Sequence, residues 1–339
     1  MSDPSTFGKV APAIFGSSQD NPRTQIGTSR EMVKDTATGV AITSLIFLIS
    51  VFIPIIGFVA ALFIPLPILF YRLKLGRING LIIAVATSLL MVVLIGGLSI
   101  DVIFFAGLLL IGFMLGELFE LNLSIEQTTL IASGSVVLSG LISLIISSIL
   151  SGESVLAMVS DYVAKNLELT LVLYKGMGMS PENIELISRS LDKIQQVLVA
   201  IIPALVMAST LFVAWISILL AKPVLISRSL SYPDFGPLNL WKAPDYLVWG
   251  VIGCGLALFL PQAAIKVIGI NGLLILMTIY FFQGMAIVSF YFDKKGLPRF
   301  VRVFLYTLIA LQQLILLAVI GLGFFDLWVN FRRLGKQAA

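Results

Sequence analysis

The chain has 339 residues and a formal net charge of +4, and 58% of its residues are hydrophobic against 12% charged. A soluble domain carries about 25% charged residues, so this composition excludes a water-soluble globular protein and predicts a membrane protein. Histidine is absent and Cys254 is the one cysteine, which excludes a disulfide framework and the zinc and iron–sulfur sites that need several thiols.

The apolar stretches are continuous, and each is about as long as the roughly 30 Å hydrocarbon core of a bilayer. Membrane β-strands alternate apolar and polar residues over about ten positions, and stretches such as 198–220 do not. We therefore expect an all-α, polytopic transmembrane bundle with eight or nine spans. Lysine and arginine collect in cytoplasmic loops of such proteins, so the positive charge predicts the lipid bilayer, and not nucleic acid, as a partner.

The chain is predicted to begin with a flexible, polar cytoplasmic arm at 1–36, and the bundle then occupies 37–333, before a tail at 334–339. The first apolar block, 39–70, is too long for one span and contains several prolines. We expect it to form two short helices or a hairpin bent near 54–57. The other predicted spans, in chain order, are 78–95, 102–118, 128–150, 197–220, 247–260, 267–290 and 303–325.

The main interruption, residues 151–196, has the pattern of two amphipathic helices. Ser180 is a good N-cap, and Pro181 suits the first helical position of the second helix. The insert is expected to lie on the membrane surface or to cover the mouth of the bundle. A plain connector packed on the bundle is an equally open interpretation.

The basic residues favour a cytoplasmic N-terminus, with 14 on the inner segments and 8 on the outer segments of a nine-span chain. The tail contradicts this pattern, because nine spans place its arginines outside. Eight crossings would agree with the charge rule, although the sequence does not indicate which segment fails to cross.

Ionisable and amide groups inside the apolar segments are the candidate site residues, because lipid makes each of them costly. Glu117, with Glu120 three positions on, is interpreted as a cation or proton site or as a residue of the headgroup region. Asn271, Gln283 and Gln313 lie on the last two spans. They predict a shared polar pocket for a small solute, or bonds between neighbouring helices.

The tail motif places Asp326, Asn330 and Arg333 at helical spacing, with Trp328 and Arg332 four apart. One interpretation pairs Asp326 with a loop arginine and anchors Trp328 at the membrane interface. The other makes this tail a patch for docking a partner. Trp241 is interpreted as part of an interfacial aromatic belt.

No P-loop, HExxH or GxSxG sequence occurs in the chain. We therefore predict no catalytic residue, no metal and no cofactor, and we do not expect an enzyme.

The stretch from about 39 to 333 resembles the YybS-like family of bacterial multi-pass membrane proteins, a domain of unknown function. The motifs that carry the resemblance are Pro65-Leu66-Pro67 with Tyr71-Arg72-Leu73-Lys74-Leu75-Gly76, Trp241-Lys242-Ala243-Pro244 with Leu247-Val248-Trp249-Gly250, Asn271-Gly272 with Tyr280-Phe281-Phe282-Gln283-Gly284, and Gly323-Phe324-Phe325-Asp326-Leu327-Trp328. That family is grouped with the substrate-binding S components of energy-coupling-factor transporters.

The resemblance implies a small-molecule-binding transport subunit of the bacterial inner (plasma) membrane that borrows a coupling membrane protein and ATPases. Glu117, Asn271, Gln283 and Gln313 are the expected solute contacts. Gly57 and Ala61 have a spacing comparable to the face with which S components dock the coupling protein. The alternative is a membrane scaffold or assembly factor that uses the 151–196 insert and the 326–333 tail.

Overall fold

A computed structural model describes residues 29–97 and 99–332, which form α-helices and one short 3₁₀ turn, with no strand among them. The all-α prediction is therefore confirmed. The predicted arm lies outside the described residues as far as residue 28, and its remaining residues begin the first helix. Arg333 and the predicted tail 334–339 also lie outside them. The helices are α1 Ser29–Phe52, α2 Pro54–Ala61, α3 Pro65–Leu75, α4 Arg77–Ile95, α5 Ile100–Glu120, α6 Ile125–Ser151, α7 Val155–Gly176, α8 Pro181–Ser227, α9 Leu247–Ala257, α10 Ala263–Lys294, α11 Arg299–Leu311 and α12 Gln313–Val329.

Six of the helices in the described part of the chain, α1, α4, α5, α6, α8 and α10, are long and apolar enough to cross a membrane. The bent pair α11 and α12 raises this number to seven if it counts as one span. The predicted eight or nine spans are not confirmed, because α2, α3 and α9 have only 8, 11 and 11 residues. At about 1.5 Å per residue, each is shorter than the hydrocarbon core.

The first apolar block forms a hairpin close to the predicted bend. α1 ends at Phe52 and α2 folds back against it. Ser50 Oγ donates a hydrogen bond to the Gly57 carbonyl at 3.0 Å. A Cβ atom at Gly57 would lie 2.2 Å from the Ser50 carbonyl oxygen, so only glycine permits this approach. Gly57 is thus buried inside the hairpin, whereas Ala61 is partly buried against the core.

Contacts between the ends of helices define the two ends of the bundle. Lys74 near the end of α3 pairs with Asp35 near the start of α1 at 2.7 Å. Residues 228–246, between α8 and α9, bond to the start of α6 and to the end of α10. We call this the loop end of the bundle. The opposite end, where α6 ends and α7 begins, is called the arm end.

The α11–α12 pair enters and leaves the bundle at the loop end. At its start, Arg302 Nη1 pairs with Asp293 in the last turn of α10. Just after its end, the Phe331 carbonyl accepts a hydrogen bond from Tyr291 Oη at 2.9 Å. The two helices meet at a bend of 100°. The predicted span 303–325 is therefore a re-entrant V, and the chain returns to the end from which it started.

The 151–196 insert contains the two predicted helices, but the second does not end before the membrane. α8 is one helix of 47 residues, about 70 Å long. α7 pairs with its first half, since Gln195 Nε2 donates to Ser160 Oγ at 2.8 Å. Tyr162 Oη donates to Asp101 at the start of α5 at 2.6 Å. Residues 160–195 therefore form a helical hairpin, the α7–α8 arm, at the arm end.

Candidate functional site

A close crossing of α10 and α12 builds the most buried polar site in the described residues. A Cβ atom at Gly284 would lie 2.0 Å from the Val319 carbonyl oxygen, and one at Gly323 would lie 2.0 Å from that of Tyr280. The two glycines thus let the helix backbones touch, as small residues do in membrane bundles. This contact brings Gln283 Nε2 to 3.1 Å from Asp326 Oδ2.

Asp326 accepts hydrogen bonds from two further groups of its own chain end. Asn330 adopts a left-handed φ of 46° and ends α12, so the chain turns back on the helix. Phe331 N then donates to Asp326 Oδ1 at 2.9 Å, and Arg332 Nη2 donates to Oδ2 at 2.8 Å. Asp326 and Arg332 are each only 3% exposed. The result is a buried ion pair whose acceptor oxygens are both used.

The same pair holds the 228–246 loop over the bundle. Arg332 Nη1 donates to the carbonyls of Asn239 and Trp241, at 3.1 and 2.8 Å. Gln283 Oε1 accepts from Ala243 N at 3.2 Å. We call these connected groups the Asp326 network. Because its protein donors and acceptors mainly satisfy one another, it acts as a clamp between the loop, α10 and α12.

Trp241 extends this clamp to a third helix. Its Nε1 donates to Glu126 Oε1 at 2.5 Å, at the start of α6. Its ring meets the Trp215 ring edge to face, with the ring centroids 4.8 Å apart. Trp215 in turn stacks on Phe282 at 4.7 Å. Trp241 is thus a structural contact at the loop end, with part of its surface buried in the bundle.

Glu117 lies in a separate ion-pair cluster formed by α3, α4 and α5. Arg72 Nε donates to Glu117 Oε1 at 3.0 Å and its other nitrogens pair with Glu120. Arg77 Nε lies 3.3 Å from Glu117 Oε1. Glycines at 80 and 116 leave room for the Arg72 side chain, which is only 3% exposed. The negative charge of Glu117 is therefore balanced within the chain, and its role as a solute contact stays a prediction.

Asn271 joins two helices where one of them is broken by a proline. Pro203 lies inside α8, has no N–H and disturbs the preceding turn. Asn271 Oδ1 accepts from Ala204 N at 2.9 Å, and its Nδ2 donates to the Ala200 carbonyl at 2.9 Å. The amide thereby bridges two backbone groups that would pair with each other in an unbroken helix. This arrangement corresponds to the interpretation in which Asn271 bonds two neighbouring helices, here α10 and α8.

The four predicted solute contacts are not brought together. Gln283 is in the Asp326 network, Asn271 bonds to α8, and Glu117 bonds to α3 and α4. Gln313 is exposed at the first position of α12. Sequence reasoning missed Arg72 as a partner of Glu117, because Arg72 lies in a basic run with Lys74 and Arg77 that has the pattern of a turn. It also placed the partner of Asp326 in a loop, whereas the partner is Arg332 of the same tail.

An open cleft of about 1050 Å³ lies beside the Asp326 network. Its polar lining includes Asn239, Tyr291, Asp293, Lys294 and Arg332. Asn239 Oδ1 and Arg332 Nε are buried and have no hydrogen-bond partner among the described residues. Trp328 is 58% exposed at this end, so its predicted role as an interfacial anchor stays a prediction. Two residues that border the cleft therefore carry a buried acceptor and a buried donor that the described chain does not pair.

These features define a polytopic, all-α integral membrane protein whose buried charges are paired within the bundle. A family model described as "Predicted membrane protein (DUF2232)" matches residues 41–327, so the chain belongs to this family. The chain is similar to "Uncharacterized protein YybS" of Bacillus subtilis (strain 168), with 25% identity over 301 residues, which are 86% of this chain and 94% of that protein. No solved structure matches the chain. The predicted YybS-like membership is confirmed.

Residues of three of the motifs that carry the resemblance meet at the Asp326 network, whereas Arg72 of the remaining motif lies in the separate cluster with Glu117. Trp241 and Ala243 come from one motif, Gln283 from the second and Asp326 from the third, and all four belong to the Asp326 network or contact it. In this chain the three motifs therefore form one loop clamp. A clamp by itself does not identify a ligand.

Proposed function

We propose that this chain is a scaffold or assembly subunit of the bacterial inner (plasma) membrane that works through protein–protein contacts. The observation that carries the proposal is the length of α8, which has 47 residues. At about 70 Å, this helix is more than twice as long as the hydrocarbon core is thick. Its first half extends beyond the apolar stretch 197–220 and pairs with α7, so the α7–α8 arm projects from the bundle.

The tip of the arm presents apolar side chains that the rest of the chain does not cover. From Ser160 to Gly176, α7 extends about 24 Å beyond its contact with Gln195. Its exposed apolar residues include Val172, Leu173 and Met177, and Met177 is 81% exposed. Clustered apolar residues on a surface mark sites of protein or membrane contact. A partner protein would bury these residues.

The charge distribution supports a cytoplasmic loop end and an arm on the outer face. The described part of the chain contains 18 lysines and arginines, of which 13 lie at the loop end. The re-entrant V contributes to this asymmetry, because it keeps Arg332 at the loop end. A cytoplasmic loop end follows from the positive-inside rule, and so does a cytoplasmic start of α1. The proposal involves no catalytic step.

A photo-crosslinking side chain at Met177 tests the proposal in intact cells. The matched control carries the same group at Arg189, whose side chain is 73% exposed but lies on α8 in a charged pair with Glu185. We expect a defined protein adduct from position 177 and a much weaker one from 189. The substitution Leu173→Asp should abolish the adduct without reducing membrane insertion. Adducts of equal strength at both positions, or adducts with lipid alone, would contradict the proposal.

A transport subunit resembling an energy-coupling-factor S component is the second candidate, and the cleft beside Arg332 favours it. Lys294 lines the cleft, and the positive charge of Arg332 is buried directly behind it, so the cleft suits an anionic or polar solute. Of the predicted contacts, Gln283 is linked to this cleft through Asp326. Native mass spectrometry of the purified protein distinguishes the candidates. A bound solute, or a coupling membrane protein with its ATPases, would favour transport, whereas other proteins without a solute would favour the scaffold.

A further inference from the structure

The bend between α11 and α12 leaves polar groups without cover in the described structure. Gln312 is the residue at the bend, with an extended backbone at φ −99° and ψ 106°, and no side chain caps the start of α12. Gln312 and Gln313 are both exposed. The residues on either side, Leu311 and Leu314, are 80% and 72% exposed. We call residues 311–314 the apex of the V.

The apex lies deep in the apolar layer. α12 runs from the apex toward the loop end, and the thirteen positions from Gln313 to Asp326 correspond to about 20 Å along it. The hydrocarbon core is about 30 Å thick. No charged residue occurs from Val303 to Phe325. Both limbs of the V are therefore suited to hydrocarbon, and only the apex interrupts them.

Lipid does not tolerate such an interruption. Irregular backbone and free amides at this depth are found where protein or a water-filled cavity surrounds them. Nothing else in the described part of the chain covers Leu311, Gln312 or Gln313. The exposed apolar flanks at Leu311 and Leu314 argue against a water-filled channel and for another protein surface.

We propose that a second copy of this chain covers the apex, and that two copies pair side by side in the membrane. A primary amide is both donor and acceptor, so Gln312 and Gln313 of one copy complement the same residues of another. Under a twofold axis along the membrane normal, the two apices lie at the same depth, as an isologous interface requires. An unrelated partner would need its own polar groups at that depth. This inference does not depend on the α7–α8 arm.

Cysteine crosslinking in native membranes tests the pairing. In a Cys254→Ala background, Leu311→Cys adds a thiol within the apex and keeps both glutamines. Phe259→Cys is the matched control, because Phe259 is 87% exposed on another part of the bundle. We expect an oxidised dimer from Leu311→Cys that contains only this chain, and little dimer from Phe259→Cys. Equal dimer from both variants, no dimer from Leu311→Cys, or a crosslink to a different protein would overturn the proposal.

Replacing the two glutamine amides provides a second, independent test. Interhelical side-chain hydrogen bonds in membranes contribute about 0.6 kcal/mol each, so four across the interface correspond to a change of roughly fifty-fold in dimer affinity. The double substitution Gln312→Leu, Gln313→Leu should therefore raise the dissociation constant in vesicles at least tenfold. Energy transfer between labelled copies measures it. An unchanged dissociation constant in a folded variant would overturn the proposal, whereas Leu173→Asp in the arm should leave it unchanged.

Discussion

Removal of the Asp326 carboxylate should be one of the most destabilising single substitutions at the loop end. In Asp326→Ala, three donors lose their acceptor: Arg332 Nη2, Gln283 Nε2 and Phe331 N. The arginine is left as an uncompensated charge that is only 3% exposed. Breaking a buried ion pair from one side costs about 3–5 kcal/mol. We expect the free energy of unfolding to fall by that amount.

Unfolding in mild detergent by added denaturing detergent measures this loss. The fluorescence of Trp215 and Trp241 is a local probe, because the rings meet and Trp241 O accepts from Arg332. Asp326→Asn is the matched control, since it keeps the shape and one acceptor oxygen, and it should cost less than Asp326→Ala.

The double variant Asp326→Ala, Arg332→Met separates the charge from the packing. It removes the stranded positive charge, so it should be more stable than Asp326→Ala alone. A loss below about 1 kcal/mol in Asp326→Ala, or a double variant that is the sum of its singles, would refute the description of a coupled, buried pair.

Three further predictions concern other contacts. Gly323→Ala should destabilise the fold by about 1–3 kcal/mol, because the added Cβ atom would lie 2.0 Å from a carbonyl oxygen of α10. The control Gly321→Ala should be nearly neutral, since the space around Gly321 is open. Thermal unfolding compares the two variants. Asn271→Leu should destabilise the fold by about 1–3 kcal/mol. The added substitution Pro203→Ala should recover part of this loss, because α8 can then close its own backbone hydrogen bonds. No recovery would contradict the bridging role of Asn271. Burial, and then a neighbouring carboxylate, raise the pKa of Tyr162 to about 12, so the tyrosine stays neutral in the folded arm. The stability that this raised pKa contributes should be lost as pH rises from about 10 to 12. An absorbance titration of Tyr162→Phe should lack one late-titrating group.

The sequence predicts the class of fold and many helix starts because these depend on local patterns. Ser180 caps α8 by accepting from Asn183 N, as its position before Pro181 indicates. The predicted span 247–260 corresponds to α9, Leu247–Ala257. Composition sets the membrane class, and the lack of an alternating apolar–polar pattern sets the all-α class, because lipid permits only helices and closed barrels to span it.

The re-entrant V is not predictable from the same patterns. The run 303–325 has the length and composition of one ordinary span, and Gln312 carries no helix-breaking signal as strong as proline. The bend depends on where both ends of the pair are held, at Asp293 and at Tyr291. Those are tertiary contacts, which hydropathy does not record.

In the candidate site, the sequence indicates which residues are unusual but does not indicate which residues they contact. Gln283, Asp326 and Asn271 stand out in the sequence because polar groups are rare in apolar helices. Their partners depend on the backbone contact at Gly284 and Gly323 and on the break at Pro203. Spacing along one helix cannot indicate which residue of another helix lies opposite.

The continuity of α8 gives the molecule a mechanical property. One helix joins the tip at Pro181 to Ser227 at the loop end, and Asn271 grips it at the proline, between these two ends. Pro203 interrupts the backbone hydrogen bonds of α8 at this point, so the arm half of the helix can change its angle to the membrane half there. Because Asn271 bonds to the backbone on both sides of the proline, we expect α10 to serve as the pivot of this hinge.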